Sequence, residues 1–276
     1  MGRAVWKIVA VLACLVAANG IHAQSFVQQT LNSSTYGTDF SAGYAVASSG
    51  SVVAVGAPNC YYSTSQDDYG FGPGGQVFMY SCTTTLSCAG PASVTVTSSS
   101  VYGFGYSLAL VSSGTILVVG VPYYEHKHDD GAVYVFYCAA YNTCGSSSAQ
   151  YGPSGDNYYF GLSVAAYASP STLYIIAGSK SGDNLCAYTC TLNAGEAPTC
   201  PSGSPSSACT ALKIPGDSST EMGRLVTANS NLFGVSDQTS SNGYVYVVQL
   251  GSCDSINGPS TCTPVATVSY SNKGNN

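Results

Sequence analysis

Three histidines occur in this sequence, and two of them fall in its richest polar cluster, Glu125-His126-Lys127-His128-Asp129-Asp130. Imidazoles beside carboxylates are the donor set for a divalent metal. A solvated turn closed by Asp130-Gly131 accounts for the same residues without a ligand, and an upstream loop carries the similar Gln66-Asp67-Asp68. Nucleophilic catalysis would have to use His126 or His128, and no serine sits in the glycine-flanked elbow of a strand-to-helix turn. The 13 acidic residues offer many carboxylate pairs for glycoside cleavage, but nothing singles one pair out. The expectation is therefore no enzyme: no catalytic residue, no cofactor and no metal ligand.

Cysteine chemistry is better marked. Residues 1–23 form a secretory leader, with Arg3 and Lys7 ahead of the apolar run Ile8 to Ala18 and cleavage expected before Gln24. That run is shorter than the ~20 residues a membrane span needs, so no membrane insertion is expected. Of 12 cysteines Cys14 leaves with the leader, and eleven enter a compartment where disulfides persist. The short-spaced pairs Cys82 with Cys88, Cys138 with Cys144 and Cys253 with Cys262 each follow an apolar run, which suits a clip across the loop leaving a strand. Cys190 has two possible mates in Cys200 and Cys209. Cys209, directly before a later strand, is the expected one. Cys60, Cys186 and Cys200 then remain, and an odd total leaves at least one without an intrachain mate.

The 7 Lys and Arg fall to five once Arg3 and Lys7 are removed, against 13 acids, a balance near −8. No basic surface can be assembled to neutralise phosphates, so nucleic acid is excluded as a partner. Tyrosines cluster in pairs, Tyr61-Tyr62, Tyr123-Tyr124 and Tyr158-Tyr159. They suit stacking on sugars or packing at an interface, and equally suit ordinary strand positions. Asn32-Ser33-Ser34 is the single N-glycosylation sequon.

The elements that must carry these residues repeat. Gly43-Tyr44-Ala45-Val46-Ala47, Gly105-Tyr106-Ser107-Leu108-Ala109, Gly161-Leu162-Ser163-Val164-Ala165 and Gly223-Arg224-Leu225-Val226-Thr227 align, with their glycines 62, 56 and 62 residues apart. A second apolar run follows each: Val52 to Gly56, Ile116 to Gly120, Tyr174 to Gly178 and the weaker Leu232-Phe233-Gly234. A third opens on glycine at Gly75, Gly131 and Gly243, and is degenerate at Leu185 to Tyr188. Fourth strands are expected at Ala92–Thr97, Ala211–Ile214 and Val265–Val268, with that of the second copy poorly marked. Val133 and Val135 fall on one face of a strand, Tyr134 and Phe136 on the other. Both faces are apolar, as in a sheet stacked between two neighbours. The expected fold is all-β: a β-propeller-like array of four four-stranded blades over roughly 36–98, 99–155, 156–216 and 217–276, after an extension at 24–35.

Phe104-Gly105-Tyr106-Ser107-Leu108-Ala109, Val119-Gly120-Val121-Pro122 and Gly131-Ala132-Val133-Tyr134-Val135-Phe136 together resemble an FG-GAP repeat, the blade unit of the integrin α-subunit propeller. Gly56-Ala57-Pro58 keeps the second landmark in copy one; Gly178-Ser179-Lys180 and Gly234-Val235-Ser236 stand in its place in copies three and four. The family's calcium loops are not carried over, because Ser48-Ser49-Gly50-Ser51 and its counterparts lack the carboxylates.

One strand is left over. Phe26-Val27-Gln28-Gln29-Thr30-Leu31 occupies the place of a fourth strand upstream of the first landmark, yet the last copy has its own. The chain is a piece of a longer propeller, or a four-bladed ring with the extra run draped over it, or a subunit whose surplus strand adds to an edge of another copy. The functional expectation is a secreted structural or adhesive glycoprotein subunit that assembles with itself. The alternative is a monomeric module binding an extracellular glycan or protein.

Overall fold

β-Branched and aromatic residues between glycine turns favour extended backbone, and each apolar run of the repeat is a strand. Blade 1 comprises β1 (Ala45–Ser49) and β2 (Val52–Ala57), a small hairpin β3 (Cys60–Tyr62) and β4 (Tyr69–Phe71), then β5 (Gln76–Cys82) and β6 (Cys88–Val94). Blade 2 comprises β7 (Ser107–Val111), β8 (Ile116–Val121), β9 (Ala132–Ala140), β10 (Thr143–Cys144) and β11 (Ala149–Tyr151). Blade 3 holds β12 (Ser163–Ala168), β13 (Thr172–Gly178), β14 (Leu185–Thr191) and β15 (Thr210–Lys213). Blade 4 holds β16 (Met222–Asn229), β17 (Leu232–Gln238), β18 (Asn242–Cys253) and β19 (Ser260–Ser271). The computed structural model describes residues 42–58, 60–62, 69–71, 74–83, 87–95, 101–123, 131–145, 147, 149–151, 159–179, 185–200, 210–213, 222–229, 232–238, 242–253 and 260–271.

Within each blade the strands pair antiparallel, in blade 1 in the order β1-β2-β5-β6 with β3 and β4 pairing only each other. Several boundaries differ from expectation. The fourth strand of blade 1 begins at Cys88, because the disulfide hairpin carries pairing back to Cys82, and the described strand stops at Val94. That of blade 2 is split: Thr143–Cys144 and Ala149–Tyr151 both pair with β9. The β3–β4 hairpin was not expected; it takes Tyr61 and Tyr62 out of loop conformation into pairing with Gly70 and Tyr69. Blades 3 and 4 are not separate sheets. Leu212 and Lys213 of β15 run parallel to Ser260 and Thr261 of β19, so the two blades join at their outer strands.

Apolar residues on facing blades make the core. Between blades 1 and 2 lie Val77, Met79, Leu117, Val119 and Phe136, with Phe104 edge-on to Tyr134 and Phe136 at 6.0 and 5.8 Å. Val118, Val135, Ile175 and Phe160 fill the second junction, and Ile176, Leu185, Phe233 and Val235 the third. Each such side chain stabilises the stack by about 1.5–3 kcal/mol when withdrawn from water. The far face of blade 1, with Val53, Val55, Phe78 and Tyr80, is buried as well.

Glycine sets how closely the blades approach. A Cβ on Gly56 would overlap the Gly105 carbonyl oxygen, and the same collision recurs between Gly120 and Gly161 and between Gly178 and Gly223. The second and third junctions are tied further: the Ser107 hydroxyl donates to the Gly161 carbonyl and the Ser163 hydroxyl to the Gly223 carbonyl, each at 2.7 Å. Blade 4 departs from this pattern. Val226 pairs with Val235, and Ser236 accepts the Leu225 N–H on its hydroxyl oxygen at 2.9 Å. Ser236, not Gly234, thus stands where the other blades carry the landmark glycine. An incoming carbonyl there would meet a side chain.

Candidate functional site

The Cys82–Cys88 and Cys138–Cys144 disulfides close six-residue hairpin steps with Cα atoms 3.9 and 3.8 Å apart. Cys144 and Cys138 lie against Met79 of the preceding blade, at 3.4 and 3.9 Å between sulfurs, so the clip also packs the junction. Cys190 is a correction: it bonds to Cys200, not Cys209. The reason is local. Thr191 and Thr199 exchange both backbone hydrogen bonds at 2.8 and 2.9 Å and bring Cys200 beside Cys190, whereas Thr210, next to Cys209, pairs back at Ala187. Cys186 is also disulfide-bonded. Cys253 and Cys262 face each other across the β18–β19 ladder. The leader, Phe26 to Leu31, Asn32, the Glu125–Asp130 cluster, Tyr124, Tyr158 and Cys209 lie outside the described residues.

Two surfaces lie outside the junction cores. The first is an arc of tyrosines along the end of the sheets where the junction glycines meet. Tyr44 and Tyr106 each follow a landmark glycine, and the close approach of those inner strands sets their rings 4.5 Å apart. Tyr123, just past β8, stands 6.0 Å from Tyr106, and Tyr159 stands 5.1 Å from Tyr123. The line crosses blades 1, 2 and 3. Its rings are half-buried to exposed, with Tyr44 at 48%, while Phe104, Tyr134, Phe136, Phe160, Tyr188 and Phe233 in the junction cores lie at 3% or less. Tyr159 holds φ at +67°, a left-handed conformation uncommon for a residue with a side chain. Sequence reasoning picked out Tyr123 and Tyr159 but passed over Tyr44 and Tyr106. Their signal was their fixed place directly after the landmark glycine.

The second surface is the outward face and edge of blade 4. Position for position, Val245 corresponds to Val77 and Val133, two residues after the glycine that opens the third strand. Those two are fully buried, yet Val245 is 44% exposed. Leu225 at 70% and Val268 at 62% share its face. In a ring closed by blade 4 against blade 1 these side chains would be interior. Beyond Ser260 and Thr261, no described strand pairs with the outer side of β19.

No family model matches the chain, and no curated protein does. The FG-GAP likeness therefore rests on its residues alone, and a propeller-like fold is what stands. Among solved structures, the periplasmic gluconolactonase of Pseudomonas aeruginosa is 12% identical over 84% of this chain and 58% of its own, with TM-score 0.45. The Dos1 propeller is 12% identical over 86% and 62%, with TM-score 0.36. A thermostable family-43 glycoside hydrolase is 9% identical over 82% and 94%, with TM-score 0.32. The chain spans 58% and 62% of the length of the first two. The expectation that this chain is not an enzyme is corrected by these findings: two of the three structures are enzymes on propeller folds.

Proposed function

We propose that this protein is a secreted structural or adhesive glycoprotein subunit that assembles with further copies of itself through blade 4, the surplus strand Phe26 to Leu31 of one copy adding to β19 of the next. The observation that carries this reading is the outer side of β19, where the strand runs on to Ser271 and no described strand pairs with it after its contact with β15 ends at Thr261. Unpaired N–H and C=O groups along such an edge are a template for another strand. The adjoining face adds an apolar bed in Val245, Val268 and Leu225. Contact between unlike surfaces repeats without closing and gives a filament. The disulfides are consistent with an extracellular or periplasmic setting, and Asn32, one residue past the added strand, would hold its glycan beside the joint.

Electron microscopy and light scattering of the leader-free protein under non-reducing conditions test this. Polymers are expected from the full mature chain, and monomers with an unchanged circular dichroism spectrum from the chain lacking 26–31. Polymers that survive the deletion refute strand addition; a wild-type monomer at high concentration refutes assembly.

A further inference from the structure

We propose that β1 of one copy docks on the open face of blade 4 of another, as each interior blade docks on the blade before it. This rests on the reading that copies assemble through blade 4, and it names the surface that blade 4 receives. The three junctions inside the chain give the rule. The third residue after Gly105 and Gly161 faces the preceding blade: Leu108 shares a core with Ala47, and Val164 with Ala109. Leu108, Val164 and Val226 are accordingly half-buried or buried, whereas Val46, their equivalent in β1, is 52% exposed. Its complement on blade 4 is Thr227, which holds the place of Ala47 and Ala109 and is likewise exposed. Leu225 and Val245 share the face of Thr227.

Ser236 supplies the polar contact. In blades 2 and 3 a serine stands opposite the glycine of the second strand, Ser107 against Gly120 and Ser163 against Gly178. Each serine hydroxyl donates to a glycine carbonyl of the next blade. A side chain on Gly120 would enter the space that the Ser107 hydroxyl fills. Blade 4 exchanges the two places: Leu225 replaces the serine and Ser236 the glycine, so the hydroxyl reaches that space from the second strand. Its oxygen accepts the Leu225 N–H, which leaves its proton to donate to the Gly43 carbonyl of the incoming copy. The Ser236 Cβ holds that carbonyl further off than a glycine does, so the joint is looser than an interior junction. Among the described residues neither face carries a charge, and the acidic chain does not repel its own copy there. The incoming copy can also supply the added strand. Leu31 precedes Gly43 by 12 residues, a reach of up to about 40 Å, and β19 lies three strand spacings, about 15 Å, from β16.

Sedimentation velocity and light scattering of the leader-free, disulfide-intact chain test the contact. Val46→Lys and Thr227→Glu should each weaken association about tenfold or more, with an unchanged circular dichroism spectrum. The chain carrying both should recover to within about threefold of wild type, because the two charges meet across every contact. Ser236→Ala keeps the Cβ, removes the donor and should weaken association about threefold to tenfold. Val46→Ser, with a smaller loss in the same direction, serves if lysine is not tolerated. Association unchanged in the single variants, or no recovery in the double one, would overturn the proposal. Monomers on deleting 26–31 beside unchanged polymers in Val46→Lys would overturn this contact and keep strand addition. Polymers that survive the deletion but not Val46→Lys would do the reverse. A wild-type monomer at high concentration overturns both.

Discussion

Gly120→Ala puts a single methyl group at the junction of blades 2 and 3. That carbon would overlap both the Gly161 carbonyl oxygen and the Ser107 hydroxyl. The first is backbone and can yield only if the blades part. The second holds the 2.7 Å hydrogen bond across the junction, and turning it aside breaks that bond. Overpacking a filled interior costs about 1–3 kcal/mol, and loss of the hydrogen bond about 0.5–1.5 kcal/mol. Replacing glycine also stiffens the unfolded chain, which returns about 0.4–1 kcal/mol. The net loss is about 1–4 kcal/mol, or a fall in Tm of roughly 3–15 °C for a chain of this size. Gly234→Ala is the control. Its methyl group meets only the end of Thr227 at 3.0 Å and the Tyr246 carbonyl at 4.0 Å, so stability should change by less than about 0.5 kcal/mol. The assay is thermal unfolding followed by tyrosine circular dichroism under non-reducing conditions. Equal effects at the two sites would refute the assignment of Ser236 to the landmark position and the account of junction spacing with it.

The same position-by-position logic applies to valine. Val133→Ala, fully buried in the second junction, should cost about 1–3 kcal/mol, whereas Val245→Ala at the corresponding place in blade 4 should cost under about 0.5 kcal/mol in denaturant titration. Val245→Asp should leave the monomer folded and suppress polymer formation in light scattering. Replacing Cys138 and Cys144 together by Ser opens a loop of six-residue separation, worth about 2 kcal/mol by chain entropy. Loss of the sulfur packing on Met79 should take the measured cost above that figure.

Much of the architecture was legible in the sequence because a sheet buried on both faces must spell its strands as continuous apolar runs. The run at Ile116 to Gly120 could hardly be anything but an interior strand, and so it is. Short disulfides were legible for a similar reason: six residues between cysteines suffice for a hairpin and little else, as at Cys82 and Cys138. Cys190 was not, since its two candidate mates differ only in how the intervening chain folds, and the Thr191–Thr199 pairing decided between them. Glycine 234 misled because a glycine in a strand-like run imitates the landmark. Only the cross-strand register, Val226 against Val235, moves the landmark place to Ser236. The tyrosine line was half seen. Tyr123 and Tyr159 stood out as members of pairs, but Tyr44 and Tyr106 looked like ordinary strand residues until the glycines brought their strands together.

What the sequence determined by itself was the periodic alternation of apolar runs and glycine, and hence a stack of small sheets that exclude water only by lying against one another. That information is local, written within each repeat. What the tertiary structure decided was how the repeats end: Ser236 in place of glycine, an outward face left open at Val245 and Val268, an outer edge of β19 without a described partner beyond Thr261, and four tyrosines in line. These depend on contacts between residues tens of positions apart. Their energies are set by register and approach distance, which no single repeat contains.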